Sequence, residues 1–361
     1  MQTVRVLIAT AGLLAVAGAA AAAVVPHAQT LRRSPGPVDA ITQDGPVVAW
    51  IADGGTKCNV VHAIGPGWSE SMPQPSTASM TCHWDLSAGQ PQLAFAAGVS
   101  SALWTLHEGG SVPYDYLMTA HAKGPEVIVD RLGHASDGTG WWVGGIAGAG
   151  TTLAYSAVDV EYVDKLGCLS GAPCKKKIAG GAIHTISDGQ EAILPGTPPA
   201  LELAAASDLI AYAPAMTVAK DGSPAPNRSA AIQVVDVEKG TVVSQVVPNG
   251  LPLAIALAPN VLAVLTSTAR AERVSWYAIG SGTKLGSAGV PLSTAPELAV
   301  GNRMVVYRVG SVLRGIDLVT GRVRTLTRAS IKPVGFSLAG NRLVWAENTP
   351  AGGRIRALQI R

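Results

Sequence analysis

The sequence is poor in charge. Asp, Glu, Lys and Arg make up 14% of its 361 residues and the formal net charge is +3, against roughly 25% charged residues in an ordinary soluble domain. Hydrophobic residues reach 48%, which excludes a wholly disordered chain, since such chains join low hydrophobicity to high net charge. Several catalytic signatures are missing. No G-x-S-x-G elbow, P-loop, H-E-x-x-H or G-x-G-x-x-G occurs, which removes the mechanisms those motifs carry. The four cysteines form no C-x2-C pair, so a zinc site built from them is disfavoured, and neither a metal nor a cofactor is expected. Basic residues never interleave with aromatics in a stripe, which argues against nucleic acid as a partner. After residue 25 no apolar run is long enough to span a bilayer.

What the chain has in quantity is Gly, 41 residues, and Pro, 24. Both break helices and recur every few positions, which excludes a bundle of long helices and leaves one large all-β domain or two ordinary ones. The N-terminus carries Arg5 and then the 20 residues Val6–Val25, dominated by Ala, Leu and Val. Ala21–Ala23 supplies the small residues of a signal-peptidase site, so residues 1–23 are expected to be an export signal and the protein secreted or periplasmic. An uncleaved membrane anchor is the rival, because a helix of that length just spans a bilayer. Cysteine usage fits export: Cys58 and Cys82, and Cys168 and Cys174, are spaced to close two local loops. Four thiols allow three pairings, of which the local one is the most economical.

A short apolar strand, a tight turn and a second apolar strand with a large central residue recur along the chain. The central residues are Trp50, Trp104, Tyr155, Tyr212, Val264, Tyr307 and Trp345, spaced by 54, 51, 57, 52, 43 and 38 residues. Each period has room for four strands, best seen as Glu297–Val300, Met304–Val309, Leu313–Leu318 and Arg322–Thr327. Gly and Asn at the turns, such as Gly301-Asn302 and Thr320-Gly321, provide or tolerate the positive φ of tight hairpins. Four-stranded sheets with two apolar faces bury both by radial stacking, which predicts an all-β propeller. The last copy, from residue 331, supplies three strands, so Gln29–Arg33 is expected to add the fourth and close the ring. Residues 29–361 are then one domain of seven blades, with six possible because residues 60–90 are irregular.

The segments Gly340–Trp345 (GNRLVW) and Ile316–Thr327 (IDLVTGRVRTLT) resemble the repeat of periplasmic TolB-type, WD40-like propellers. In that family a third strand ends near Asp-Leu, a Gly-containing turn follows, and the fourth ends in Leu-Thr. The resemblance is clearest over residues 295–361 and implies the propeller fold. It implies nothing about the partner, and with the first repeat beginning by residue 41 a companion domain of the TolB kind is not expected.

Propeller loops alternate between two faces. Second-to-third loops and links between blades share one face, and here the long ones are Glu108–Pro113, Asp159–Lys177 and Ala213–Ser229, in consecutive blades. Lys175, Lys176 and Lys177 beside Cys168 and Cys174 suggest a stiffened recognition loop, and Trp141 an exposed stacking platform. Residues 301–361 hold 11 basic against 2 acidic groups, a balance of +9. Arg303 and Arg342, at equivalent turns, head a patch suited to an acidic protein or an anionic envelope polymer. His107, Glu108, Asp159 and Glu161 are the candidates for acid/base chemistry. Asp137-Gly138-Thr139-Gly140 resembles a turn more than a calcium loop. The expected function is non-catalytic binding or scaffolding of a protein or envelope polymer. The alternative is a hydrolase or lyase acting on carbohydrate or peptide from the long-loop face.

Overall fold

In a β-strand successive side chains point to opposite faces, so a residue repeated at one position of every sheet meets the same neighbours each time. The computed structural model describes residues 28–53, 59–66, 68, 91–108, 113–121, 127–164, 174–187, 189–269, 271–292, 296–329 and 332–360. In it each central residue lies on the second strand of a sheet. Trp50 stands between Ile41 on the first strand and His62 on the third, and Trp104 between Leu93 and Met118. Tyr155 stands between Ile146 and His184, and Tyr212 between Leu203 and Gln233. Val264 is flanked by Ile255 and Ser275, Tyr307 by Leu298 and Arg314, and Trp345 by Phe336 and Arg356. Seven such antiparallel sheets form an all-β, seven-bladed propeller.

The blades begin at Val38, Leu93, Gly140, Ala200, Leu251, Leu298 and Lys332. Blades 2 to 7 have four strands, and the described part of blade 1 has three: Val38–Asp44, Val47–Asp53 and Asn59–Ile64. Blade 7 runs Lys332–Ala339, Arg342–Thr349 and Gly352–Gln359, and its outer strand is Gln29–Ser34 from the other end of the chain. That strand pairs antiparallel with Gly352–Gln359, from Gln29 opposite Ala357 to Ser34 opposite Gly353.

Every central side chain turns toward the preceding blade. Trp104 packs with Ile51 and Val61 of blade 1, Tyr155 with Leu103 and Leu117 of blade 2, and Trp345 with Val306 and Leu313 of blade 6. Trp50 closes the circle against Val344 and Ile355 of blade 7. The core is therefore a ring of apolar seams, each burying the two faces a lone sheet would expose. Their first-strand partners Ile41, Leu93, Ile146, Leu203, Ile255, Leu298 and Phe336 line the central channel as an apolar collar, around a cavity of about 230 Å³. The Gly-rich run on the first strand of blade 3 serves one of these seams. A Cβ on Gly144 would lie 1.9 Å from the Ala200 oxygen, and one on Gly145 2.4 Å from the Leu203 nitrogen.

Two expectations change. Among the described residues there is no disulfide bond: Cys58, Cys82 and Cys168 lie outside them, and Cys174 is exposed. The expected cystine framework is corrected accordingly, and with it goes the support it lent to a secreted or periplasmic setting. Residues 1–27, which hold the apolar N-terminal run, also lie outside the described residues. No helix among the described residues is long and apolar enough to cross a membrane. The second change is in blade 3, whose second and third strands reach Tyr162 and begin at Lys176. Asp159, Glu161, Lys176 and Lys177 thus sit on a strand ladder rather than in a loop, because Val158 and Val160 keep burying alternate side chains up to its end.

Candidate functional site

The links between blades and the second-to-third connections emerge on one face, and in blades 2 to 4 they interlock. Asp137 lies in the link from blade 2 to blade 3. Its Oδ1 accepts the Thr139 backbone N–H and hydroxyl, both at 2.9 Å, so Asp137-Gly138-Thr139-Gly140 is a side-chain-capped turn. Its other oxygen accepts the hydroxyl of Tyr162, at the end of the second strand of blade 3. These bonds to the charged form, Tyr162 first and the Thr139 amide next, hold the Asp137 carboxyl down at about 2. From the facing third strand, Lys176 donates to the Asp137 carbonyl, with its ammonium 5.9 Å from the Tyr162 ring centroid.

The insertion of blade 4, a small hairpin of Thr217–Val218 and Pro224–Ala225, completes the contact. Gly138 and Gly222 both have positive φ, and a Cβ on Gly138 would come 2.7 Å from the Gly222 Cα. Only glycine permits that approach at both places. Beneath, Trp142 stacks on His134 at 3.6 Å and donates its indole N–H to the Gly138 carbonyl at 3.0 Å. Three connections are thereby held as one raised rim.

On this rim Trp141 is 41% exposed and lies opposite Asp159 in the ladder. Glu161 lies opposite Lys177, and Tyr162 opposite Lys176. Lys175 and Lys177 are exposed, whereas Lys176 is half-buried. The structure therefore brings Trp141, Asp159, Glu161, Lys175, Lys176 and Lys177 to one end of one blade. Burial, and then the charge of Glu161, push the Asp159 carboxyl above its ordinary value. His107 and Glu108 end the second strand of blade 2, and their side chains are not among those described.

The other expected residues are scattered over the basic region. Arg303 is exposed at the first-to-second turn of blade 6. Arg342, at the same turn of blade 7, donates to the Pro46 carbonyl of blade 1 at 2.9 Å. Within the region Arg354 and Arg356 surround Glu347, only 2% exposed, at 3.1 and 3.7 Å, and the Trp345 indole donates to the same carboxylate at 2.8 Å. Arg308 pairs with Glu297 at 2.6 Å. Part of the excess positive charge therefore serves packing, while Arg322, Arg324 and Arg328 remain exposed.

Sequence reasoning did not single out Tyr162 or the bond-making role of Asp137. The spacing Asp137-x-Thr139 does carry a turn signal, but nothing local announces the hydroxyl of a strand 25 residues away.

No protein-family profile matches the chain, and no curated protein sequence matches it. Solved structures do. A chain of the mitotic checkpoint complex superposes with a TM-score of 0.52 at 13% identity, covering 100% of this chain and 99% of that one. The β-propeller domain of Cps50 (Swd1) from Myceliophteria thermophila superposes at 0.50 with 8% identity, covering 93% and 100%. A WD40 domain of coronin from Toxoplasma gondii aligns at 0.49 with 10% identity, covering 92% and 86%. Identities this low report fold alone. They show a likeness to the β-propeller fold and do not single out the TolB type.

Proposed function

We propose that the chain is a non-catalytic binding platform that holds another protein on the raised rim of blades 3 and 4. The observation that carries this reading is the Asp137–Tyr162–Lys176 lock, which together with the Gly138–Gly222 approach joins three connections before any partner arrives and leaves Trp141, Lys175 and Lys177 facing outward. A rim ordered in advance loses little freedom on binding, and an exposed Trp beside cationic groups is the composition of an interface anchor. The partner surface it suits is one carrying acidic groups around an apolar or aromatic residue. Propeller folds commonly serve as interaction platforms.

The test is quantitative affinity capture from the native host, comparing wild type with the triple substitution Trp141→Ala, Lys175→Glu, Lys177→Glu. Arg324→Ser, on the outer strand of blade 6, serves as control. The expected result is a protein whose recovery falls about tenfold with the rim variant, the loss that about 1.4 kcal/mol produces, and is unchanged with the control. If the rim variant retains every captured protein at wild-type level, the proposal is wrong.

A further inference from the structure

The opposite face, formed by first-to-second and third-to-fourth turns, holds a second concave feature. Between the outer halves of blades 2 and 3 lies a groove of about 450 Å³, walled by Val127 and Ile128 on one side and Leu153 and Ile186 on the other, with Thr119 and Glu191 among its polar groups. That volume falls in the roughly 300–1,000 Å³ range of small-ligand sites. Its existence follows from strand lengths. The fourth strand of blade 2 spans seven residues, Val127–Gly133, whereas that of blade 3 has only four, Gln190–Ile193. The short outer strand leaves the seam open, with Val127 52% and Ile128 44% exposed at its lip.

The described polar groups of the groove are Ser101, Thr119, His121 and Glu191, and Glu191 belongs to a cluster with Tyr155, His184 and Asp130 in which one phenol proton faces two carboxylates. The Tyr155 hydroxyl donates to Glu191 Oε1 at 2.7 Å and lies 3.4 Å from Asp130 Oδ2. His184, stacked on Tyr155 with centroids 4.6 Å apart, places Nδ1 2.7 Å from the same Glu191 oxygen. A phenol has one proton to give, and the shorter bond to Glu191 takes it. Asp130 Oδ2 therefore faces a hydroxyl oxygen at long range, while its Oδ1 accepts the Arg131 amide at 2.7 Å. Arg131 directs its guanidinium over the Tyr114 ring, 3.9 Å from the centroid. Two carboxylates from adjacent blades thus converge on one hydroxyl at the edge of an apolar slot. Apolar walls of low dielectric strengthen their attraction for a cation.

We propose that this groove receives a segment of a partner protein in which an apolar side chain is followed directly by arginine or lysine. The apolar side chain fills the slot between Ile128 and Ile186. The cation reaches Glu191 and Asp130, supplying the donors that Tyr155 and His184 cannot. Charge complementarity sets the choice of occupant: an acidic or neutral segment would bury its apolar residue and leave the carboxylates uncompensated. The site lies on the face opposite the rim, so the two proposals stand or fall separately.

The experiment is a saturation-transfer NMR titration of the full chain with three acetylated, amidated hexapeptides. They are Gly-Ser-Leu-Arg-Ser-Gly, the same peptide with Glu for Arg, and the same peptide with Ser for Leu. The expected order has the Leu-Arg peptide tighter than either control by about tenfold. Ile128→Glu, at an exposed position, is expected to abolish binding of the Leu-Arg peptide. Val127→Ser should weaken it and Glu191→Gln should erase its advantage over the Leu-Glu peptide, while the rim triple variant leaves it unchanged. A melting curve on each variant separates loss of the site from loss of the fold. Equal binding of the Leu-Arg and Leu-Glu peptides, survival of binding in Ile128→Glu, or no binding by any peptide overturns the proposal.

Discussion

Glu202 shows how one position can differ from its equivalents around the ring. It precedes the collar residue Leu203, where the other blades place Ala40, Gln92, Gly145, Ala254, Glu297 and Gly335. Glu297 has Arg308 beside it. Among the described residues Glu202 has no such cation, and burial raises its carboxyl from 4.5 to about 7. A carboxyl whose folded value is raised destabilises the fold once it must ionise. That cost is absent below about pH 4.5, grows between about 4.5 and about 7, and is complete above. Glu202→Gln is therefore expected to gain on wild type as pH rises through this window, by at most about 3 kcal/mol. Urea unfolding of both proteins across the window checks it, and a difference that does not change with pH sinks the assignment. The repeat pattern marks the position after Glu202 as a strand core. Its isolation follows from the strand register: Glu202 lies opposite Ala213 on the second strand of its own blade, whereas in blade 6 the second strand supplies Arg308 to Glu297.

Strands and turns were the most legible elements. Met304–Val309 falls where alternation and the flanking Gly residues put it, and Val312–Asp317 and Val323–Arg328 differ from the expected Leu313–Leu318 and Arg322–Thr327 only at their ends. Blade 3 was misjudged because Asp159, Glu161 and Lys177 look like loop residues, while the buried Val158 and Val160 between them continue the ladder. How turns hold one another could not be read from the sequence at all. Asp44, in the first turn of blade 1, accepts the amides of Ala97 and Gly150, from the matching turns of blades 2 and 3, both at 2.8 Å. Asp44→Ala would strand two donors and is expected to cost about 2–4 kcal/mol in denaturant unfolding, with Asp44→Asn losing less because it keeps an acceptor oxygen. Equal losses from the two substitutions would show that the turns are held by something else.

The whole molecule depends on closing its ring. Gln29–Ser34 covers the outer edge of Gly352–Gln359, and Arg356 also donates to the Ala28 carbonyl at 2.9 Å. Removing the chain through Ser34 would expose an unpaired strand edge, a template for association between molecules. The truncated protein is expected to melt at least about 5 °C lower and to associate with rising concentration in size-exclusion chromatography. An unchanged Tm and a monomeric profile would refute the closure as a stabilising device. Sequence alone pointed to seven blades, with six left open by the irregular residues 60–90, and identified their central residues, because burial on two faces demands one large apolar side chain per sheet at a fixed place. It also indicated the strand from the other end of the chain, since three strands leave an edge uncovered. Only the tertiary structure decided which polar groups meet. Asp137 reaches Tyr162, Tyr155 lies between Asp130 and Glu191, and Glu202 stands alone, because hydrogen bonds across seams join residues whose separation along the chain carries no periodic signal.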